Sequence, residues 1–382
     1  MKQQIADWNK RIRWNELSEQ INWVVEQGIA IQQIPAPTFS EKVRADYVAN
    51  QFKQFGLQQI KIDELYNVTG LMQGKQPQQS GIMVSAHTDT VFNADMDLTI
   101  RKDKDLIYGP GLGDNSVGVS GMLGLIAILQ KLNIKPTYDV WFVANTREEG
   151  LGDLGGMKAV FEQLRQHIQY VINLEGMAYG HVYHAGIAVR RLHITAQAEG
   201  GHSWLNFGRT SAIHSIMELG AQITHLRPSE SPRTTFNIGI IEGGQSINTI
   251  AAEAGLWLDL RSEESAALAR FEREVRKLVE AAAKPNLTFK IEVVGDRPAG
   301  SIATSHELVQ AALAALEQTG VKGTLENGST DANVPLAAGC PAVTIGITRG
   351  GNAHRSDEYI EVSPVASGMR QLLLLTLAAS NT

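Results

Sequence analysis

The chain is short of several things, and each shortage excludes something. It holds one cysteine, Cys340, in 382 residues, so no internal disulfide can form. That usage fits a reducing compartment and predicts a cytoplasmic protein. Cys340 stands in Ala-Gly-Cys-Pro before an apolar run and reads as core rather than nucleophile. No block of basic residues appears, and 34 Lys and Arg against 40 Asp and Glu leave a net charge of -6, so nucleic acid is not expected as a partner. Residues Met1 to Glu16 are polar and charged, without the apolar centre of a signal peptide. No apolar run nears the ~20 residues that span a bilayer, so no membrane partner is expected. Gly-x-Ser-x-Gly is missing, which argues against a serine hydrolase. The glycines at 109–113 are followed by neither Lys-Ser/Thr nor a GxGxxG pattern, so phosphate binding fits poorly.

What is present belongs to a globular protein. Hydrophobic residues make up 43% and charged residues 19%, which excludes general disorder, and the length suggests two domains. Residues 81–86 form a short apolar run that ends in His87-Thr88-Asp89. On a strand, residues two apart share a face, so His87 and Asp89 project together. A histidine held by a carboxylate is a well-oriented metal ligand. HxD alone is a weak signal, but the same design recurs. Tyr138 to Ala144 runs into Glu148-Glu149-Gly150, Tyr170 to Leu174 closes on Glu175, and Pro341 to Ile347 leads through Gly350-Gly351 to His354. Adjacent carboxylates at a strand end are costly unless a cation is near. Asp114, in Gly-Pro-Gly-Leu-Gly-Asp-Asn-Ser, is either a ligand on the turn after its strand or, with Asn115, the cap of the helix that runs to about Leu132. Two imidazoles and several carboxylates suit zinc, cobalt or manganese, and a shared carboxylate allows a metal pair.

The middle of the chain carries none of these acids and histidines. Strands at 189–198, 233–242, 253–261 and 288–294, with helices at 211–226 and 263–283, predict a four-strand, two-helix α+β domain of the ferredoxin-like kind. The expected organisation is therefore a discontinuous metal-binding α/β domain, residues 1–186 and 300–382, with an insert at 187–299. A helix from Ser305 to Thr319 and a final helix, capped by Ser363 with Pro364 first, complete the outer domain.

His-Thr-Asp-Thr-Val, Gly-Pro-Gly-Leu-Gly-Asp, Glu-Glu-Gly, Leu-Glu-Gly, Gly-Gly-His-Ser and Ala-His-Arg-Ser-Asp-Glu occur in this order. Together they resemble the co-catalytic zinc exopeptidases and deacylases: peptidase T, glutamate carboxypeptidase, acetylornithine deacetylase, succinyl-diaminopimelate desuccinylase and aminoacylase. The resemblance covers nearly the whole chain and leans to the peptidase-T side. It implies a mixed sheet flanked by helices and two divalent metals, zinc foremost, with cobalt or manganese as alternatives. His87 and Glu175 would hold one metal and Glu149 and His354 the other, with Asp114 between them. Asp89 would orient His87, and Glu148 would be the general base. The insert would be a dimerisation or lid domain in a homodimer. There His202 would help hold the oxyanion of the partner's site, or is an ordinary loop histidine. Asn248, Arg261 and Asp331 match substrate-side positions; Arg261 would grip a carboxylate or simply pair with Asp259. The implied reaction is hydrolysis of an amide bond in a small peptide. Deacylation of an N-acyl amino acid and a non-catalytic, metal-stabilised binding protein are the alternatives. Where many members carry a lysine shortly after the aspartate, this chain has Asn115-Ser116.

Overall fold

The computed structural model describes residues 1–77 and 80–381. The chain divides into two compact units, Met1–Gly186 with Gly300–Thr382, and Ile187–Ala299.

The first unit is built on a nine-stranded mixed sheet. Its strands lie in the order Gln58–Ile62, Val68–Met72, Val140–Asn145, Gly81–His87, Ile168–Leu174, Ala342–Ile345, His181–Gly186 and Gly300–Ser301, with Thr324–Gly328 also pairing to His181–Gly186. The four from Val140–Asn145 to Ala342–Ile345 run parallel. Helices cover both sheet faces, which is why these strands read as unbroken apolar runs. Side chains still alternate. Ile82, Val84, Ala86, Phe142 and Ile172 enter one core, while Met83, Trp141, Val143 and Val171 enter the other. Helices Ser18–Gln32 and Val117–Lys131 pack closely on the first face, where a Cβ on Gly124 would lie 2.3 Å from Val24 Cγ2. Helix Gly155–Leu164 covers the second.

Several expectations need correction. The stretch Leu112–Lys131 is in fact long and apolar enough to cross a bilayer, but most of it is buried as core. Neither Asp114 nor Asn115 caps the helix; Ser116 stands at its N-terminus without a side-chain cap, and both neighbours turn to other partners. The last helix begins at Val365 after Pro364, and Ser363 Oγ donates to Asp105 at 2.7 Å instead of capping. Helix Lys2–Arg11 carries too few apolar residues to signal itself and packs through Ile5, which is fully buried.

The second unit is an antiparallel sheet in the order Thr234–Gly243, Glu253–Ser262, Ala188–Ala198, Leu287–Arg297. Helices Ala212–Thr224 and Ser265–Ala282 close a core with Leu192, Ile194, Leu256, Leu258 and Leu260 from one sheet face. On the other face His193 stacks on Trp257 at 4.0 Å. Thr234–Gly243 is an edge strand with Ile240 and Ile241 more than half exposed. A two-residue ribbon, Gly201–His202 with Thr249–Ile250, carries His202.

Candidate metal centre

The parallel strands deliver their chemistry at their C-terminal ends, where open α/β sheets bind ligands. His87 is the last residue of its strand, Glu175 follows Leu174 directly, and Glu148 and Glu149 lie just beyond Asn145. His354 arrives on the turn between the short strands Gly350–Gly351 and Tyr359–Glu361. Asp114 sits in the irregular turn 112–116.

Asp114 stands between two histidines. Its Oδ1 lies 3.1 Å from His87 Nε2 and its Oδ2 lies 3.1 Å from His354 Nε2. Glu175 Oε2 is 3.6 Å from the same His87 nitrogen, and Glu149 Oε1 is 3.1 Å from the same His354 nitrogen. Two donor groups result, His87/Asp114/Glu175 and Asp114/Glu149/His354, and each gathers its ligand atoms within 4.8 Å. They share one carboxylate. Glu148 joins His87 and Glu149 in a third such group.

The electrostatics of the cluster are strained by burial. Burial pushes the Glu149 and Glu175 carboxyls up, against the pull of His354 and His87 respectively. Burial also opposes charge on His87, but the carboxylates of Asp114, Asp89 and Glu175 around it outweigh that and raise the ring well above its ordinary value. His354 is raised to about 10 by Asp114 and Glu149. Asp114 is partly buried, yet both histidines hold it below the usual carboxylate range. Among the described residues, no Lys or Arg forms an ion pair with Asp114, Glu149 or Glu175. Several acids and two imidazoles this close, with no fixed cation, make a nitrogen–oxygen donor set that a divalent ion satisfies.

Asp89 is fully buried. Its Oδ1 accepts from Glu148 N at 2.9 Å, its Oδ2 accepts from Glu149 N at 2.9 Å, and Thr38 Oγ1 donates to Oδ2 at 2.9 Å. His87 Nδ1 meets the Asp89 main-chain oxygen at 3.1 Å and the carboxylate only at 3.6 Å. The side chain of Asp89 therefore grips the Glu148–Glu149 backbone more closely than it grips the histidine. Arg44, also buried, donates to Thr88 O at 2.7 Å and to Ile34 O, fixing the turn from behind.

The four other expected residues stand outside the donor groups just described. Asp331 is fully buried and accepts from Asn145 Nδ2 at 2.6 Å; burial, reinforced by the nearby charges of Glu148 and Glu175, raises its carboxyl well above the ordinary value. Arg261 pairs with Asp259 at 2.7 Å, and its side chain remains about half exposed. His202 Nδ1 accepts from Trp204 N at 3.2 Å, and Asn248 Oδ1 accepts from Ser246 Oγ at 2.8 Å; both lie in the second unit.

Two contributors escaped the sequence reading. Glu358 is fully buried, and its Oε1 accepts from Gly113 N at 2.7 Å and Asp114 N at 3.0 Å. Burial raises its carboxyl to about 7. Its signal was an acid four residues after His354, directly before Tyr-Ile. Asn115 donates to Leu174 O at 2.7 Å and accepts from Gly176 N at 2.9 Å, tying the Asp114 turn to the Glu175 strand end.

Residues 83–378 match the model of peptidase family M20/M25/M40, and the chain belongs to that family of metal-dependent hydrolases of peptide and amide bonds. It is 24% identical to carboxypeptidase G2 of Pseudomonas sp. (strain RS-16) over 315 residues, 78% of this chain and 73% of that one. Its fold is similar to that of aminopeptidase PepT from Bacillus cereus, with a TM-score of 0.76, 21% identity, and coverage of 94% of this chain and 99% of that one. The Bacillus subtilis YXEP protein, described as a dinuclear metal binding peptidase of the M20 family, gives a TM-score of 0.68 at 13% identity over 94% and 98% of the two chains.

Proposed function

We propose that the chain is a two-metal exopeptidase that hydrolyses an amide bond in a small peptide. The observation that supports this most is Glu148, whose carboxylate lies within 4.8 Å of donor atoms on both His87 and Glu149 while its backbone is held by Asp89. In this reading His87 and Glu175 would hold one metal and Glu149 and His354 the other, with Asp114 available to both. Zinc fits the mixed imidazole and carboxylate set, as do cobalt and manganese. When bound, such a pair lowers the pKa of water and polarises the scissile carbonyl. Glu148 takes the proton from the attacking water and passes it to the leaving nitrogen. Asp89 fixes where that carboxylate stands.

Peptide substrates are favoured because the fold neighbours include proteins described as an aminopeptidase and a tripeptidase. Deacylation of N-acyl amino acids is the second reading, since the same donors would serve it. The Ile187–Ala299 unit is proposed as a dimerisation domain. Ile240 and Ile241 on an edge strand, with Trp204, Leu205, Phe207 and Ile247, form exposed apolar surface of the kind a partner covers. His202 and Asn248 would act from there on the partner's substrate. A cytoplasmic location agrees with the single cysteine.

The test is Glu148→Gln, assayed with di- and tripeptides and N-acetyl amino acids alongside elemental analysis. The variant is expected to keep its metal and lose ~10²–10⁴-fold in kcat. Full activity in that variant, or activity in the wholly metal-free wild type, would sink the proposal. A metal-loaded wild type that turns over nothing in the panel would favour a binding protein.

A further inference from the structure

The turn after Glu175 is pressed between the segments that bring Asp114 and His354. A Cβ on Gly176 would lie 2.2 Å from the Gly113 carbonyl oxygen. The Gly176 carbonyl accepts from Ile347 N at 3.0 Å and Thr348 N at 2.8 Å. From this turn the side chain of Met177 reaches across two further glycines. A Cβ on Gly113 would lie 2.4 Å from Met177 Sδ and 2.6 Å from its Cγ. One on Gly350 would lie 2.6 Å from Sδ and 2.9 Å from Cγ. The same thioether thus rests on the backbone next to Asp114 and on the backbone that opens the His354 turn. Neither Gly113 nor Gly350 has a positive φ; at Gly113 the need for glycine is room for Met177, whereas at Gly350 a Cβ would meet the Tyr359 carbonyl oxygen at 2.2 Å before it met the thioether. An unbranched, polarizable thioether suits such an irregular gap.

We infer that Met177 is a positioning residue of the metal centre. Its side chain sets the spacing of the Asp114 turn and the His354 turn relative to Glu175, two residues before it, so it supports both donor groups at once. This rests on the dinuclear reading above. Three chain segments, far apart in sequence, meet on one side chain, and each carries a donor to the centre. Shortening that side chain leaves a void into which both glycine segments can relax. Asp114, which faces both histidines, then moves relative to each.

The test is competition for zinc between the protein and a graded chelator, read as zinc retained per chain, with circular dichroism to establish folding. Met177→Ala is expected to lose zinc at about tenfold lower chelator concentration than wild type, the lower end of what loss of a ligand-supporting contact costs. Met177→Leu conserves volume and is expected to retain zinc nearly as wild type does. Gly113→Ala is expected to lose zinc too, because its new Cβ meets the thioether. Combining it with Met177→Ala removes the collision, so the double variant is expected to hold zinc better than Gly113→Ala alone. If Met177 merely fills the core, these substitutions change folding stability and leave zinc retention at the wild-type value. Wild-type retention in Met177→Ala, or a double variant worse than both singles, overturns the inference. A folded wild type that holds no zinc overturns the dinuclear reading instead. If Met177→Ala fails to fold, Met177→Leu against Gly113→Ala still decides: equal loss in both would refute the role of volume.

Discussion

Replacing Asp89 with Asn separates two tasks that its position next to His87 confuses. The carboxylate accepts two backbone N–H groups, from Glu148 and Glu149, each at 2.9 Å, inside a fully buried site. An amide offers one oxygen, so one of the two N–H groups would face an NH₂. Hydrogen bonds to charged acceptors are worth about 1.5–3 kcal/mol, and a buried unpaired donor costs about 1–3 kcal/mol. The expected loss is therefore about 2–4 kcal/mol, or roughly 5–10 °C in Tm for a unit of this size. Catalysis should suffer more than stability. A shift of the 148–149 backbone moves the base, and ~1 Å of misplacement costs on the order of 10²-fold in rate. The metals add a directional test. His87 is met by the Asp89 main-chain oxygen, which survives the substitution, whereas Glu149 hangs from the lost carboxylate. Zinc titration of Asp89→Asn should therefore weaken the Glu149/His354 position more than the His87/Glu175 position. The assays are differential scanning calorimetry, peptide hydrolysis and a two-step zinc titration. A variant with unchanged Tm and kcat, or one that weakens the His87 position first, would refute the reasoning.

Glu358→Ala leaves the Gly113 and Asp114 N–H groups without their acceptor; a loss of about 2–4 kcal/mol in chemical denaturation is expected, while Glu358→Gln should keep most of it. Equal loss in both would show that charge, and not the acceptor, matters. Burial pushes the Cys340 thiol up to about 11. At pH 8 only about one thiol in a thousand is then thiolate, so alkylation of the folded protein should run at least ~100-fold slower than after denaturation. For the dimer proposed above, Ile241→Asp on the exposed edge strand should shift sedimentation from dimer toward monomer at low micromolar concentration. An unchanged dimer would place the interface elsewhere.

Much of the centre was legible because its donors end apolar runs. A parallel sheet buried on both faces needs unbroken hydrophobic strands, so polar residues such as His87, Glu148, Glu149 and Glu175 stand out where the strands stop. Asp114 was ambiguous, since an acid before a helix serves equally as a cap. Its role depends on facing two histidines, one of them 240 residues away. Glu358, Asn115 and Met177 were silent for the same reason: their partners are backbone groups of distant segments, and no local period encodes those. The sheet of Gly350–Gly351, Tyr359–Glu361, Leu106–Tyr108 and Arg101–Asp103 has strands of two or three residues, too short for any alternation to register. The insert was easier, because its strands are ten or eleven residues long and its helices strongly two-faced.

The chain leaves the outer unit at Gly186 and re-enters it at Gly300, and these two glycines are direct antiparallel partners. Their Cα atoms are therefore separated by only about 5 Å, the spacing of neighbouring strands. Departure and return share one doorway. A tight turn of a few residues can span that gap, so the topology of the outer unit is complete without the insert: a hairpin whose loop is a whole module. The same doorway makes the module a natural unit of exchange, replaceable without rethreading a single strand of the sheet that carries the chemistry.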